Sequence, residues 1–129
     1  MKKEKTIQTK KEQLETVLSN LKKVGGILSS AVISRDGLLV ASDLTKTVDA
    51  DTFAAMSAAM EGAAETAVSE LKQGELKQII VDADAGKLIT LSAGKKAILV
   101  VLAKPEINLG LVLLELGRAS GLLSAILGR

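Results

Sequence analysis

Two short patterns in the chain match the spacing of known chemical sites. Asp82 and Asp84, followed by Gly86, have the spacing that opens a calcium-binding loop. Such a loop also needs an acidic third ligand and a glutamate at its twelfth position, which here are Gly86 and Ala93. Because the ligand set fails, we interpret the segment as a β-turn between two strands.

Ser92 and Lys95 have the S-x-x-K spacing of a serine–lysine nucleophile pair. That chemistry needs the serine at the start of a helix and further Ser and Lys motifs elsewhere in the chain. Here the pair lies where a strand meets a turn, and those motifs are absent. We therefore expect no nucleophile at this position.

The composition excludes most other catalytic machinery. The 129 residues contain no His and no Cys, so there is no zinc site of the usual kind, no Ser–His or Cys nucleophile and no disulfide. One aromatic residue, Phe53, cannot form a stacking platform for nucleic acid, and no glycine-rich phosphate loop is present. We expect a protein that is not an enzyme, needs no metal or cofactor and binds no nucleic acid.

The basic residues concentrate at the N-terminus, although the net charge is only +2. We expect residues 1–9 to be a flexible basic segment and residues 10–129 to form a single domain. The Lys-rich start leads into an amphipathic pattern and not into an apolar run, so it does not have the form of a signal peptide. We expect a cytoplasmic protein.

Hydrophobic periodicity and turn residues predict eight elements. Residues 10–24 have helical spacing, and Gly25 and Gly26 end that helix. A second helix spans about 51–73 with Asp49 or Asp51 as its N-cap, and a third runs from a cap at Asn108 to about 127. Five strands are predicted at 27–34, 38–42, 76–83, 87–93 and 97–103.

The order α-β-β-α-β-β-β-α, with short turns between the strands, favours an antiparallel sheet. Residues 97–103 carry no polar side chain on either face, which is typical of a central strand covered on both sides. Residues 76–82 include Lys77, Gln78 and Asp82, which suit a strand nearer the edge. We predict an α+β domain with three layers, in which helices cover both faces of a five-stranded antiparallel sheet.

The middle helix has more small and apolar surface than one core needs. One stripe is predicted to pack on the sheet: Phe53, Met56, Met60, Ala63, Ala64, Ala67 and Leu71. The opposite side combines small residues with two carboxylates: Ala54, Ala55, Ala58, Glu61, Gly62 and Glu65. Small residues four apart allow another backbone to approach closely, so we interpret this side as an interface. The alternative is that alanine is simply a strong helix former on a solvated face.

The last helix also places leucines where water is expected. Leu111 and Leu122 fall on the same side as Glu115 and Arg118. Because these two charges interrupt the helix and no uninterrupted apolar run approaches the ~18 residues of a membrane span, we expect no stable membrane insertion.

Three segments together are similar to the Roadblock family of dynein light-chain domains. They are the hairpin SAVISRDGLLVAS (30–42), the Ala-rich helix TFAAMSAAMEGAAE (52–65) and the helix start NLGLVLLEL (108–116). The similarity extends over roughly residues 10–127. The chain resembles a stand-alone prokaryotic member related to bacterial polarity regulators of Ras-like GTPases, which implies a Roadblock/profilin-like fold.

The resemblance implies a homodimer and a GTPase partner. The strand at about 76–82, with Lys77, Ile79 and Val81, is expected to pair with a second copy into a ten-stranded sheet. The helices at about 51–73 are expected to lie side by side. We expect a non-enzymatic module that binds and regulates or scaffolds a small Ras-like GTPase. The alternative is a small-molecule sensor or a self-assembling scaffold with no GTPase partner.

Arg35 has two interpretations. It lies at the tip of the first predicted hairpin, in Arg35-Asp36-Gly37, so it could in principle serve a partner GTPase as an arginine finger. Turn tips are also commonly basic for solubility alone. The sequence leaves both open.

Overall fold

The computed structural model describes residues 8–128. Within them the elements follow the predicted order: α1 (Lys10–Leu21), β1 (Ile27–Ser34), β2 (Leu39–Asp43), α2 (Ala50–Glu70), β3 (Gln78–Ala83), β4 (Gly86–Ser92), β5 (Ala97–Ala103) and α3 (Leu109–Leu127). The predicted N-terminal segment lies largely outside the described residues. Thr9, assigned to that segment from the sequence, is instead the N-cap of α1 and accepts a hydrogen bond from the Glu12 backbone at 3.1 Å.

The five strands form one antiparallel sheet in the order β2-β1-β5-β4-β3. β5 is central, and Leu102 is its only residue that is not fully buried. β3 forms one edge of the sheet and β2 the other. The predicted α+β class, the central last strand and the edge position of the third strand are confirmed.

Helices α1 and α3 cover one face of the sheet. Leu14 and Leu18 of α1 pack with Leu116 and Leu123 of α3, and all four are fully buried in the larger hydrophobic core. Among residues 8–128, α3 is the one helix long and apolar enough to cross a membrane by length and composition. Its buried leucines make it a core helix of this fold.

Helix α2 covers the other face above a smaller core. That core consists of aliphatic side chains from three elements: Ala31, Ile33, Ala54, Ile98 and Val100. α2 packs on β1 and β2 and also contacts β4 through Thr90, whereas five of the six residues of β3 are exposed. The helix therefore leaves the β3 edge of the sheet uncovered.

The side of α2 that faces the sheet differs from the prediction. Ala54, Ser57 and Glu61 are buried, whereas Met56 is 59% exposed and Leu71 is also exposed. Of the predicted stripe, Phe53 packs against the smaller core, whereas the prediction is wrong for Met56 and Leu71. Alanines on both sides weaken the helical hydrophobic pattern, so the sequence does not show which side of this helix faces the sheet.

The backbones of β4 and β5 lie close together at Gly86. A Cβ atom on Gly86 would lie 2.8 Å from the carbonyl oxygen of Ala103, a backbone atom that cannot move aside alone. We expect Gly86→Ala to lower the free energy of unfolding by about 1–3 kcal/mol, as overpacking does. Chemical denaturation measures this change.

Gly25→Ala is the matched control for this substitution. A Cβ at Gly25 meets nothing within 4 Å, and this glycine has no positive φ. We expect its unfolding free energy to stay within about 0.5 kcal/mol of the original. Equal losses in the two variants would contradict a steric origin.

Candidate interaction surface

Helix α2 begins at a well-formed cap. The Asp49 carboxylate accepts a hydrogen bond from the Thr52 backbone N–H at 2.9 Å. Hydrogen bonds from Thr52 hold the pKa of Asp49 below its ordinary value, because they stabilise the charged form. Of the two caps predicted from sequence, Asp49 is the one used.

A buried carboxylate anchors the middle of the helix. Glu61 is only 5% exposed, yet the Thr90 hydroxyl donates to its Oε1 at 2.9 Å. Its Oε2 lies 3.7 Å from Nη1 of Arg35. A buried charge is tolerated when it is both paired and hydrogen-bonded, and Glu61 has both.

Arg35 joins three parts of the fold. Its Nη1 lies 2.6 Å from Oε2 of Glu65, and its Nε donates to the carbonyl oxygen of Lys95 at 2.7 Å. Its Nη2 donates to the Ser92 hydroxyl at 3.1 Å. The guanidinium thus binds the first hairpin to α2 and to the β4–β5 turn. The side chain is thus held within its own domain, which favours a structural role, and the arginine-finger interpretation stays a prediction.

The two patterns that resembled chemical sites are turns. Ala83 and Gly86 pair across a two-residue turn, and Asp82 instead binds Lys87 at 2.7 Å. The Ser92 hydroxyl donates to the carbonyl oxygen of Gly94. No group of three or more His, Cys, Asp or Glu side chains with metal-binding geometry occurs among residues 8–128.

Part of the small-residue surface of α2 is used within the chain. Gly37, with φ +94°, lies in the first hairpin turn, and a Cβ there would be 3.6 Å from Cβ of Ala58 and 3.7 Å from Cα of Ala55. The backbone that approaches Ala58 is therefore the protein's own turn. Gly62 is different, because a Cβ there meets nothing within 4 Å.

The predicted interface residues consequently fall into two groups. Ala54 and Glu61 are buried against the sheet, and Ala58 is half-buried at the turn. The other six residues are exposed or partly exposed: Ala55, Gly62, Glu65, Lys77, Ile79 and Val81. Lys77 lies one residue before the start of β3. Whether any of these residues contacts a partner stays a prediction.

The sequence reasoning missed Thr90 as the partner of Glu61. Thr90 lies in β4 between Ile89 and Leu91 and is fully buried. A hydroxyl between two apolar residues of the strand was the available signal. Nothing in the sequence linked it to a carboxylate 29 residues away.

An uncovered apolar area lies beside α2. The β3–β4 register places Ile79 and Val81 on the same face as Leu88 and Thr90. A groove of about 230 Å³ separates Leu88 from Phe53 and Met56 on the helix, so the two apolar surfaces are adjacent. The side of α2 that carries Met56 thus borders the β3 edge of the sheet, which is uncovered.

The two sheet edges differ in regularity. β3 pairs with β4 through six consecutive residues without interruption. In β2, Val32 pairs with Ala41 and Ile33 pairs with Leu39, which leaves Val40 as a bulge. Bulges bend an edge strand and discourage further pairing, so β3 is the edge suited to accept another strand.

The fold together with the family match places the chain among protein-interaction modules. The Roadblock/LC7 domain profile matches residues 13–103. MJ0310, an uncharacterised protein of Methanocaldococcus jannaschii, is 39% identical over 113 residues, which are 88% of this chain and 98% of that protein. The chain belongs to the Roadblock/LC7 domain family, whose members are interaction modules and not catalysts.

Solved structures agree on the fold. MglB of Myxococcus xanthus superposes with a TM-score of 0.87 at 21% identity, covering 95% of this chain and 93% of that one. An MglB structure described as having a tetrameric arrangement gives a TM-score of 0.83 at 22% identity, covering 94% and 92%. At these identities the likeness establishes the Roadblock fold.

Breaking the Arg35 contacts should destabilise the domain. In Arg35→Met, Glu61 stays buried with Thr90 as its remaining partner, so we expect the unfolding free energy to fall by about 2 kcal/mol. Arg35 is one-third exposed, which keeps the loss below that of a fully buried pair. In a Glu61→Gln background the same substitution should have a smaller effect.

Lys22→Met is the control for the Arg35 substitution. It removes an ion pair with Asp43 in which both side chains are about one-third exposed. Its loss should be at most about 1 kcal/mol. A double-mutant cycle that shows no coupling between Arg35 and Glu61 would contradict the anchoring role.

Proposed function

We propose that this protein is a non-enzymatic homodimeric module that binds and regulates or scaffolds a small Ras-like GTPase. One observation carries the proposal, namely the uncharged exposed face of α2 beside the regular open edge of β3. Membership of the Roadblock/LC7 family supports the same conclusion.

The exposed face of α2 has almost no charge. Between Asp51 and Glu65 the only ionisable residue is Glu61, which is buried. The water-facing residues over these turns are therefore uncharged, and Met56 is among them. A solvated helix normally carries charged side chains on this face, so the pattern favours a surface that a partner covers.

The dimer is proposed to form through β3 and the adjacent side of α2. Antiparallel pairing of β3 with its copy satisfies the open backbone groups of both edges and continues the sheet to ten strands. The α2 helix of each copy then covers the part of the sheet near Ile79 and Val81 that is uncovered in a single chain. Met56 borders this area and becomes part of the interface.

The GTPase is proposed to bind the outer face of the paired helices. Ala55 and Gly62 are exposed there, and their small size permits close approach of another backbone. Glu65 lies beside them with its carboxylate already bound to Arg35. The chain has no phosphate loop of its own, which supports a regulatory role alongside a separate GTPase.

Charged substitutions test the dimer. Met56→Glu and Val81→Glu each place a carboxylate in the proposed apolar contact, where burial of an unpaired charge is unfavourable. We expect light scattering to change from twice the chain mass to the chain mass, with an unchanged circular dichroism spectrum. Ser19→Glu, at an exposed position of α1 on the opposite face, should keep the dimer. A dimer that survives both substitutions would contradict this interface.

Affinity capture tests the GTPase partner. The tagged protein is incubated with lysate of its own host, once with a non-hydrolysable GTP analogue and once with GDP. We expect one small GTPase to be retained preferentially in one nucleotide state, as identified by mass spectrometry. Gly62→Glu should abolish retention without changing the dimer mass. Retention of no GTPase in either state would overturn this part of the proposal and favour a self-assembling scaffold.

A further inference from the structure

The outer face of α3 is unusually apolar for a helix that borders water. Leu111, Leu114 and Leu122 are 50%, 55% and 58% exposed. α1 and the sheet cover the opposite side of α3, so no described part of the chain covers these three leucines. Single exposed leucines are ordinary, but three on one helix form a patch.

Four residues along this patch form a symmetric stripe. Leu111, Glu115, Arg118 and Leu122 are spaced four, three and four apart, which places them on one side of the helix. Their order is apolar, acidic, basic, apolar. An antiparallel copy of the stripe presents apolar, basic, acidic, apolar, so every position meets a complementary one.

We infer that α3 binds α3 of a second copy in antiparallel orientation. Leu111 then contacts Leu122 of the other copy, and Glu115 contacts Arg118. Each contact occurs twice because a two-fold axis relates the copies. The inference goes beyond the proposed function, and it requires neither the GTPase nor the β3 dimer.

The charged pair is available for such an exchange. Glu115 and Arg118 of one chain are 3.5 Å apart, and the Arg118 side chain is 68% exposed. An exposed pair of this kind contributes little to stability, so exchanging partners requires little free energy. In the antiparallel arrangement each charge gains an opposite charge from the second copy.

Surface shape also favours a second helix at this position. A groove of about 190 Å³ between α1 and α3 is lined by Val17, Leu21 and Val24 and continues to Leu122. The groove can accept an apolar side chain from the second copy.

A second copy fits the stripe better than a lipid surface does. The two charges lie at its centre, where a bilayer would have to remove their water without providing partners. A copy of the same helix provides both partners. Since α3 and α2 lie on opposite faces of the sheet, the α3 contact and the β3 contact can form together and join dimers into larger assemblies.

Charge reversal provides the test. Glu115→Arg gives a stripe with two arginines, and Arg118→Glu gives one with two glutamates. Each variant alone opposes like charges twice, so we expect its self-association through α3 to weaken roughly 10- to 100-fold. Sedimentation velocity should show that each variant forms a species of half the mass. Each charge reversal is measured alone and in combination with Met56→Glu, and the second series keeps this result separate from whether the β3 dimer forms.

Mixing the two variants distinguishes pairing from a structural role. In an equimolar mixture the arginine stripe of one variant faces the glutamate stripe of the other, so the doubling should return. The double variant Glu115→Arg/Arg118→Glu should also recover it. Glu106→Arg, at an exposed loop position, is the control and should keep the original mass. Thermal melts followed by circular dichroism confirm that each variant folds.

Three outcomes would overturn the inference. The single variants could retain the mass of the original protein. The mixture could remain at the mass of the single variants. The original protein could bind phosphatidylcholine vesicles in flotation while showing no α3-dependent doubling, which would place lipid on this face.

Discussion

The surface of this protein depends on one buried carboxylate. Glu61 lies beneath α2 and is neutralised by Arg35 and hydrogen-bonded by Thr90. These contacts stabilise the observed rotation of the helix about its own axis, because a different rotation would separate Glu61 from Thr90 and Arg35 and break the contact between Arg35 and Glu65. The same rotation turns Met56 outward and decides which residues a partner can meet.

The sequence predicted the elements well and the helix rotation poorly. Glycine turns, the Asn108 cap and the wholly apolar run at 97–103 are local signals, and each was confirmed. The side of α2 that faces the sheet depends on contacts between residues about 30 positions apart. Alanine on both sides of the helix removed the periodic signal that would have replaced them. Ala54 and Glu61 were therefore assigned to the outside although they lie inside.

The two sheet edges show a similar limit. The polar residues of 76–82 indicated an edge strand, and β3 is one. The bulge at Val40 has no comparable signature, yet it makes the β2 edge less suitable for pairing. The greater suitability of β3 for pairing with another strand therefore depends on the bulge in the β2 backbone as much as on the side chains of β3.

The uncovered edge of the sheet links stability to binding. α2 packs on β1 and β2, so an isolated chain keeps apolar side chains of β3, Ile80 and Val81 among them, partly in water. Any partner that binds this surface binds the folded chain and not the unfolded one, and by mass action it raises the apparent stability. If the proposed dimer forms through this edge, the melting temperature rises with protein concentration, and a dilute and a concentrated solution of the same sequence unfold at different temperatures.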